Sequence, residues 1–457
     1  FLAQIEDFQK RLFEKRKFIL QTDYCITLDH VPENFYPEIL ANEAQLDAWR
    51  ELYAIDEWPE DLFWQGAFDE AFLAHHPYLM IDTAFFDEDF KARLLATFDD
   101  LDGTIDGLLV HGDNFQTLNL LQEKYAERVK STYIDPPYNT GEDDFIYKDR
   151  YPHSTWLAMM SDRLWLARTW LADDGGIFIS IDDNEQANLK QLMDRVFGEN
   201  NAVASIVWQK RTSPDHRAAI GPAHDYILTS ARSHRSFKET VNRLPLSEER
   251  LSEYRNPDDD PRGPWASVDL TGQIGHATEN QFYEIVTPAG VAYRPPEGRC
   301  WALAESTFET LVEEGRIWFG QDGTARPRLK KYLSEAEGTA AWTWWPNDEV
   351  GHNQEATKEL ISLFGPGVEF ETPKPVRLVE RLFELTTNPG EGALCLDFFA
   401  GSATTAHAVM HLNREDGGDR KYILVEMGEY FDTLLKPRIL KVAFSASWKD
   451  GVPQDRD

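Results

Sequence analysis

The chain is expected to fold as an α/β protein built on a doubly wound, mainly parallel sheet. Three features carry that expectation. From Gly107 onward, short apolar runs alternate with helical patterns, the order that parallel sheets require. Val129 to Ile134 is an apolar run ending in Asp135-Pro136-Pro137-Tyr138, where two prolines stop regular structure. Ala393 to Asp397 is a second such run, followed by the small-residue turn Ala400-Gly401-Ser402 and a helical pattern. Open α/β sheets bind ligands outside the carboxyl ends of their strands, so both runs point to one functional edge.

With 457 residues, two or three domains are expected, and 42% apolar residues with 14 Trp favour a folded chain over disorder. Cys25, Cys300 and Cys395 lie far apart with no CxxC, which argues against a disulfide framework or a zinc site and fits a reducing cytoplasm. No apolar run approaches the ~18 residues that span a membrane, and no signal peptide pattern is visible. The chain opens on Phe1 rather than Met, which reads as part of a longer chain.

Residues 1–106 read as a mainly helical, acidic accessory domain, either a docking surface or structural support. Apolar residues recur at helical spacing in Ile5 to Leu20, Glu43 to Tyr53 and Asp87 to Phe98. Residues 107–231 form the first half of the sheet. Its strands are Gly107 to His111, Val129 to Ile134, Gly176 to Asp182, Ala204 to Trp208 and Asp225 to Ser230. Between them come helices Asn114 to Arg128, Ser154 to Ala172 and Asn184 to Phe197. Asp182 and Asp183 could be taken for a catalytic pair, but ahead of a helix they read as its caps. Residues 232–346 hold Gly, Pro and short aromatic segments with little helical periodicity, an insertion between two halves of the sheet. Residues 347–457 resume the alternation with helices Gly351 to Leu363, Val376 to Leu385 and Ser402 to Leu412, and with strands ending at Asp397 and Glu426.

The strand ends carry complementary chemistry. Asp135 offers carboxylate oxygens, Pro136 a carbonyl held rigid by two rings (its own and that of Pro137), and Tyr138 an aromatic face. Together they would hold an exocyclic amino group by two accepted hydrogen bonds while stacking on its ring. The alternative is a proline turn with an aspartate cap. At Asp397-Phe398-Phe399-Ala400-Gly401, small residues ahead of a helix N-terminus make a cradle for a nucleotide cofactor. This is neither GxGxxG nor the P-loop, since no Gly-Lys-Thr follows. Glu426 ends the next strand, where a carboxylate can accept from ribose hydroxyls.

A net charge of −33 sits awkwardly with a nucleic-acid partner. Its distribution eases the conflict: residues 1–107 hold 24 acids and 8 bases, so −16 lies there. Trp208 to Lys238, with Lys210 and Arg211, has 6 bases and 2 acids. Arg326, Arg328, Lys330 and Lys331 put four bases in six residues. These runs are candidate phosphate contacts or solvated surface.

From Leu108 to Val442 the chain resembles amino-group DNA methyltransferases in which the Asp-Pro-Pro-Tyr half precedes the cofactor half, and more closely the modification subunits of type III restriction–modification systems. His111-Gly112-Asp113-Asn114, Ile179 to Glu185, Gly298-Arg299-Cys300-Trp301, Thr372-Pro373-Lys374-Pro375 and Leu424 to Met427 extend the match. The resemblance implies a Rossmann-like, S-adenosylmethionine-dependent methyltransferase sheet with an inserted target-recognition domain and a helical N-terminal extension. It implies methyl transfer to N6 of a flipped adenine in double-stranded DNA, with N4 of cytosine as the alternative base and no metal. It also implies a homodimer and a restriction subunit carrying helicase and nuclease activity. A chain that mainly recognises DNA for such a partner is the other reading. By resemblance Asp113 would accept from the cofactor's adenine and Lys374 would meet its carboxylate. Taken alone, Asp113 reads as an N-cap and Lys374 as a solvated lysine. Ala403 departs from the family, which usually has a second glycine there, and the first hundred residues do not match.

Overall fold

The computed structural model describes residues 19–59, 64, 66–140, 152–213 and 219–455. The expected helix Ile5 to Leu20 lies almost wholly outside them, as does Gly141. The chain divides into two compact units, residues 1–242 with 342–457, and residues 243–341.

The first unit contains β1 (Gly107–His111), α1 (Asn114–Leu120), β2 (Val129–Ile134), α2 (His153–Trp170), β3 (Leu171–Ile181), α3 (Gln186–Phe197), β4 (Ala202–Gln209) and β5 (His224–Ala231). After the insertion come β6 (Trp344–Trp345), α4 (Asn353–Phe364), α5 (Val376–Thr386), β7 (Leu394–Asp397), α6 (Thr404–Asp416), β8 (Lys421–Glu426) and α7 (Leu435–Phe444). The eight strands form one sheet in the order β6-β4-β5-β3-β2-β7-β8-β1, with β5 alone antiparallel to its neighbours. Helices α1, α2 and α3 pack together, as do α5, α6 and α7, giving the two helical layers of a doubly wound sheet. Trp156, Met160 and Leu164 of α2, at helical spacing, are fully buried against Ile134, Ile179 and Leu396. In α5, Val379, Leu382 and Phe383 are likewise buried.

Two expected helices differ. The segment after β1 breaks at Leu121, leaving α1 and a short turn of helix at Gln122–Tyr125. Helix α6 begins at Thr404 rather than Ser402, because Gly401 (φ 52°) and Ala403 (φ 65°) both take left-handed backbone.

The boundaries also differ from those read in the sequence. Residues 19–106 do not form a separate core. Trp49, Tyr53, Trp58 and Phe72 share one apolar cluster with Leu363, Val442, Phe444 and Trp448. The Trp58 ring stacks on Phe444 at 5.8 Å, and Lys436 pairs with Asp82. The insertion is shorter than 232–346. The helix His234–Thr240 buries Phe237 in the first unit, and Val207 N–H donates to Thr343 O at 2.7 Å, so β6 joins the main sheet.

The second unit has a three-stranded antiparallel sheet of Trp265–Asp269, Ile317–Trp318 and Arg328–Tyr332, two further strand pairs, and the helix Glu305–Glu313. Leu270, Ile285, Trp301, Phe308 and Ile317 form its core.

Phe444→Ala would remove the ring that ties residues 19–106 to α7. It is expected to cost about 3–5 kcal/mol of stability, read as a lower urea midpoint with an unchanged m-value.

Candidate active site

The carboxyl ends of β2, β7 and β8 open onto one cleft with about 720 Å³ of empty space, open solvent included. The cleft lies where β2, from the first half of the sheet, meets β7, from the second.

Asp135 stands on the β2 side. Its Oδ2 accepts an ion-paired hydrogen bond from Lys374 Nζ at 2.5 Å. Its Oδ1 is buried and has no hydrogen-bond partner, and the same holds for the Tyr138 hydroxyl. Orphaned buried polar atoms are uncommon, so two on one tetrapeptide mark a place for a ligand. The tetrapeptide is held from below. Fully buried Trp156 donates through Nε1 to Pro137 O at 2.8 Å. Asn139, in left-handed backbone (φ 59°), donates through Nδ2 to Glu185 Oε1 at 2.7 Å. Glu185 is itself fully buried and also meets His153 Nδ1 and Asn188 Nδ2, each at 2.7 Å. Burial, then the Asp135 charge, push the Tyr133 and Tyr138 phenols well above their usual range, so both remain protonated.

The β7 side is built on Asp397. Its oxygens accept from Phe399 N–H (3.0 Å) and Thr405 Oγ1 (2.6 Å), which shapes the turn around Gly401. Burial pushes its carboxyl up to about 7, and the Asp135 and Glu426 charges add to that. Gly401 N–H donates to Glu426 Oε2 at 2.8 Å, while Met427 and Gly428 N–H groups donate to Oε1, each at 2.8 Å. Glu426 therefore borders the cleft on a fixed carboxylate. A Cβ on Gly401 would lie 3.4 Å from Phe370 Cζ in backbone that L residues rarely adopt. A larger side chain there would be strained by the backbone and would crowd Phe370. Phe370 and Tyr430, edge to face at 5.2 Å, wall the cleft. Behind the turn, fully buried Arg438 donates through Nη1 to Ser402 O (3.1 Å) and Thr404 Oγ1 (3.1 Å).

Several expectations are corrected. Phe398 does not face the cleft. It is fully buried in the core, and its carbonyl accepts from Asn114 Nδ2 at 2.7 Å. Asp113 does not line the cleft either. It caps α1 by accepting from Gln116 N–H (3.0 Å) and pairs with Arg163 (3.1 Å). Lys374 is in the cleft, but its ammonium is committed to Asp135. Asp182 does not cap α3. It closes a turn by accepting from Asn184 N–H at 2.9 Å. Among the basic candidates, Lys210 pairs with buried Asp225 at 2.5 Å. Lys330 is 6% exposed between Asp258 and Asp260, because alternation along its strand turns it inward beside Tyr332. Arg328 lies along the next strand, bonded to Ser267. Arg211, Arg326 and Lys331 are exposed, with Arg326 5.4 Å over the Tyr293 ring. No described group of three or more His, Cys, Asp and Glu residues is placed to hold a metal ion. No helix among the described residues is long and apolar enough to cross a membrane.

Sequence reading missed Glu185, Arg438, Phe370 and Tyr430 as parts of the site. Glu185 falls in the motif stretch Ile179 to Glu185 and could have been singled out there. Arg438 lies far from Ser402 in the chain, and no local pattern marks it.

The fold and the site together are those of a doubly wound α/β sheet with one cleft at its switch point, where the Asp135 carboxylate faces the small-residue turn at Gly401. A family model described as DNA methylase, of the N6/N4 methyltransferase type, matches residues 129–436, and the chain belongs to that family. It is 38% identical to the type III restriction-modification enzyme StyLTI Mod subunit of Salmonella typhimurium, over 69% of this chain and 52% of that one. It is 30% identical to the EcoP15I Mod subunit of Escherichia coli, over 70% and 58%. To the type II methyltransferase M.KpnI of Klebsiella pneumoniae it is 31% identical, over 74% and 84%. The chain thus spans a little over half the length of these Mod subunits. These comparisons bear out the resemblance read from the motifs.

The elevated Asp397 and Glu359 carboxyls, each near 7 in the fold, bind protons between about pH 4 and 7 that the unfolded chain has lost. Stability therefore falls as pH rises through that window. Asp397→Asn, which keeps an acceptor without the charge, is expected to flatten this dependence. Thermal midpoints from about pH 4 to about pH 7 check it.

Proposed function

We propose that the chain is the catalytic part of a site-specific DNA methyltransferase. It moves a methyl group from S-adenosylmethionine to N6 of an adenine flipped out of double-stranded DNA, within a type III restriction–modification system. The observation that carries this reading is the unpartnered, buried Asp135 Oδ1 at the mouth of a cofactor cleft walled by Gly401 and Glu426.

The residues present fit the cofactor. Glu426 would accept from its ribose, the Gly401 turn leaves room for its backbone approach, and Phe370 and Tyr430 would pack against its base. When bound, it supplies an electrophilic methyl on a sulfonium. An adenine amino group is a poor nucleophile, because its lone pair is spread into the ring. Asp135 Oδ1 and the Pro136 carbonyl would accept its two N–H bonds and draw the nitrogen toward tetrahedral geometry, restoring that lone pair. The nitrogen so held would be ready for the methyl that the sulfonium supplies, and its surplus proton would pass to Asp135 or to solvent afterwards, so no strong base would be needed beforehand. Catalysis is positioning and electrostatics. Tyr138 would stack on the flipped base and offset part of an unstacking cost of a few kcal/mol.

Residues 243–341 serve in this reading as the target-recognition unit, with exposed Arg326 and Lys331 meeting phosphates. Cleavage belongs to a separate restriction subunit, and two copies of the chain pair as a homodimer.

Unmethylated genomic DNA incubated with the protein and S-adenosylmethionine is expected to acquire N6-methyladenine in one short motif, read by modification-sensitive single-molecule sequencing. N4-methylcytosine would keep the mechanism and change the base; no modification would sink the proposal. Asp135→Ala is expected to lower kcat at least ~100-fold while equilibrium dialysis shows cofactor binding retained. Gly401→Val is expected to lose that binding.

A further inference from the structure

We infer that Lys374 is a positioning residue for the acceptor carboxylate rather than a ligand for the cofactor's methionine end. The inference rests on the methyltransferase reading and adds to it the residue that readies Asp135.

Lys374 is 8% exposed, with its Nζ 2.5 Å from Asp135 Oδ2 and 5.1 Å from the centre of the Tyr138 ring. One ammonium therefore touches both groups expected to receive the target base. Because Oδ2 is committed to Lys374, the buried and unpartnered Oδ1 is the oxygen left to accept an amino N–H. A carboxylate free to rotate would present either oxygen, and the ion pair removes that choice.

The lysine is itself held from the cofactor side. Pro373 and Pro375 restrict the backbone around it. Its carbonyl accepts from Thr404 Oγ1 at 3.2 Å, at the first residue of α6. That hydroxyl also accepts from Arg438 Nη1 at 3.1 Å. Two residues on, Val376 N–H donates to Glu359 Oε2 at 3.2 Å. A chain of contacts thus runs from Arg438 through Thr404 and Lys374 to Asp135, joining the cofactor turn to the acceptor.

Charge makes the same point. The acids Asp225 and Asp397 both lie close enough to feel the Asp135 charge, and Lys210 is spent on Asp225 at 2.5 Å. Lys374 is the cation set directly against the acceptor carboxylate.

The test compares wild type, Lys374→Met and Lys374→Arg, each first checked for an unchanged circular dichroism spectrum. S-adenosylmethionine affinity is measured by equilibrium dialysis without DNA, and methyl transfer by single turnover on a duplex carrying the modified motif. Lys374→Met is expected to bind cofactor within threefold of wild type while the single-turnover rate at saturating cofactor falls at least ~100-fold. Lys374→Arg, which keeps a cation, is expected to recover at least tenfold of that loss. A tenfold or greater loss of cofactor affinity with near-wild-type transfer at saturation would overturn the inference and return Lys374 to the cofactor's carboxylate. Unchanged affinity with an unchanged rate would overturn it too, as would a slow Met variant that arginine does not rescue. If the wild type binds cofactor yet transfers no methyl group, the methyltransferase reading itself has failed, and this inference falls with it.

Discussion

The parallel pairing of β2 with β7 is the constraint from which the site follows. Val129 lies beside Leu394 and Thr132 beside Leu396, although the whole inserted unit separates them in the chain. That register brings Asp135 and the Asp397–Gly401 turn to one edge at matching heights. A slip of one residue would turn every side chain of β2 to the other face and take Tyr133, and with it the run into Asp135, out of line. The cleft is thus a property of the sheet's order, at the point where two halves of a doubly wound sheet meet.

Holding the cleft-lining groups in place falls to buried charged side chains around and beneath the cleft. Glu185 gathers Asn139, His153 and Asn188 beneath the acceptor tetrapeptide. Arg438 supports the Gly401 turn from behind, and Asp397 closes it from within. Buried charges are costly unless fully hydrogen-bonded, so such groups restrict the backbone to the one arrangement that satisfies them. Burial raises the Asp397 and Glu359 carboxyls, the direction expected where desolvation outweighs the hydrogen bonds a carboxylate receives.

The charge distribution takes a different form from the one the basic runs suggested. Of six bases read as phosphate contacts, Lys210 and Lys330 are consumed by internal acids, and Arg328 lies along a neighbouring strand. Arg211, Arg326 and Lys331 keep their side chains at the surface. The N-terminal acidic stretch likewise is no appendage, since its aromatic residues complete a core with α7 and the residues after it. Counting charges along a chain says how many are present but not which already have partners.

The sequence alone determined the fold class, nearly all the strands and helices of the main sheet, both ligand-bearing strand ends and the family. Those features are local: apolar periodicity sets strand and helix, and Pro136, Pro137, Gly401 and Glu426 act through their own backbone or their place at a strand end. Tertiary structure alone decided which charged groups face the cleft. Phe398 became a core residue and Lys374 the partner of Asp135, while Glu185 and Arg438 emerged as supports. Each of those outcomes depends on a partner distant in the chain, and a long, charged side chain carries no local signal of which partner it will meet.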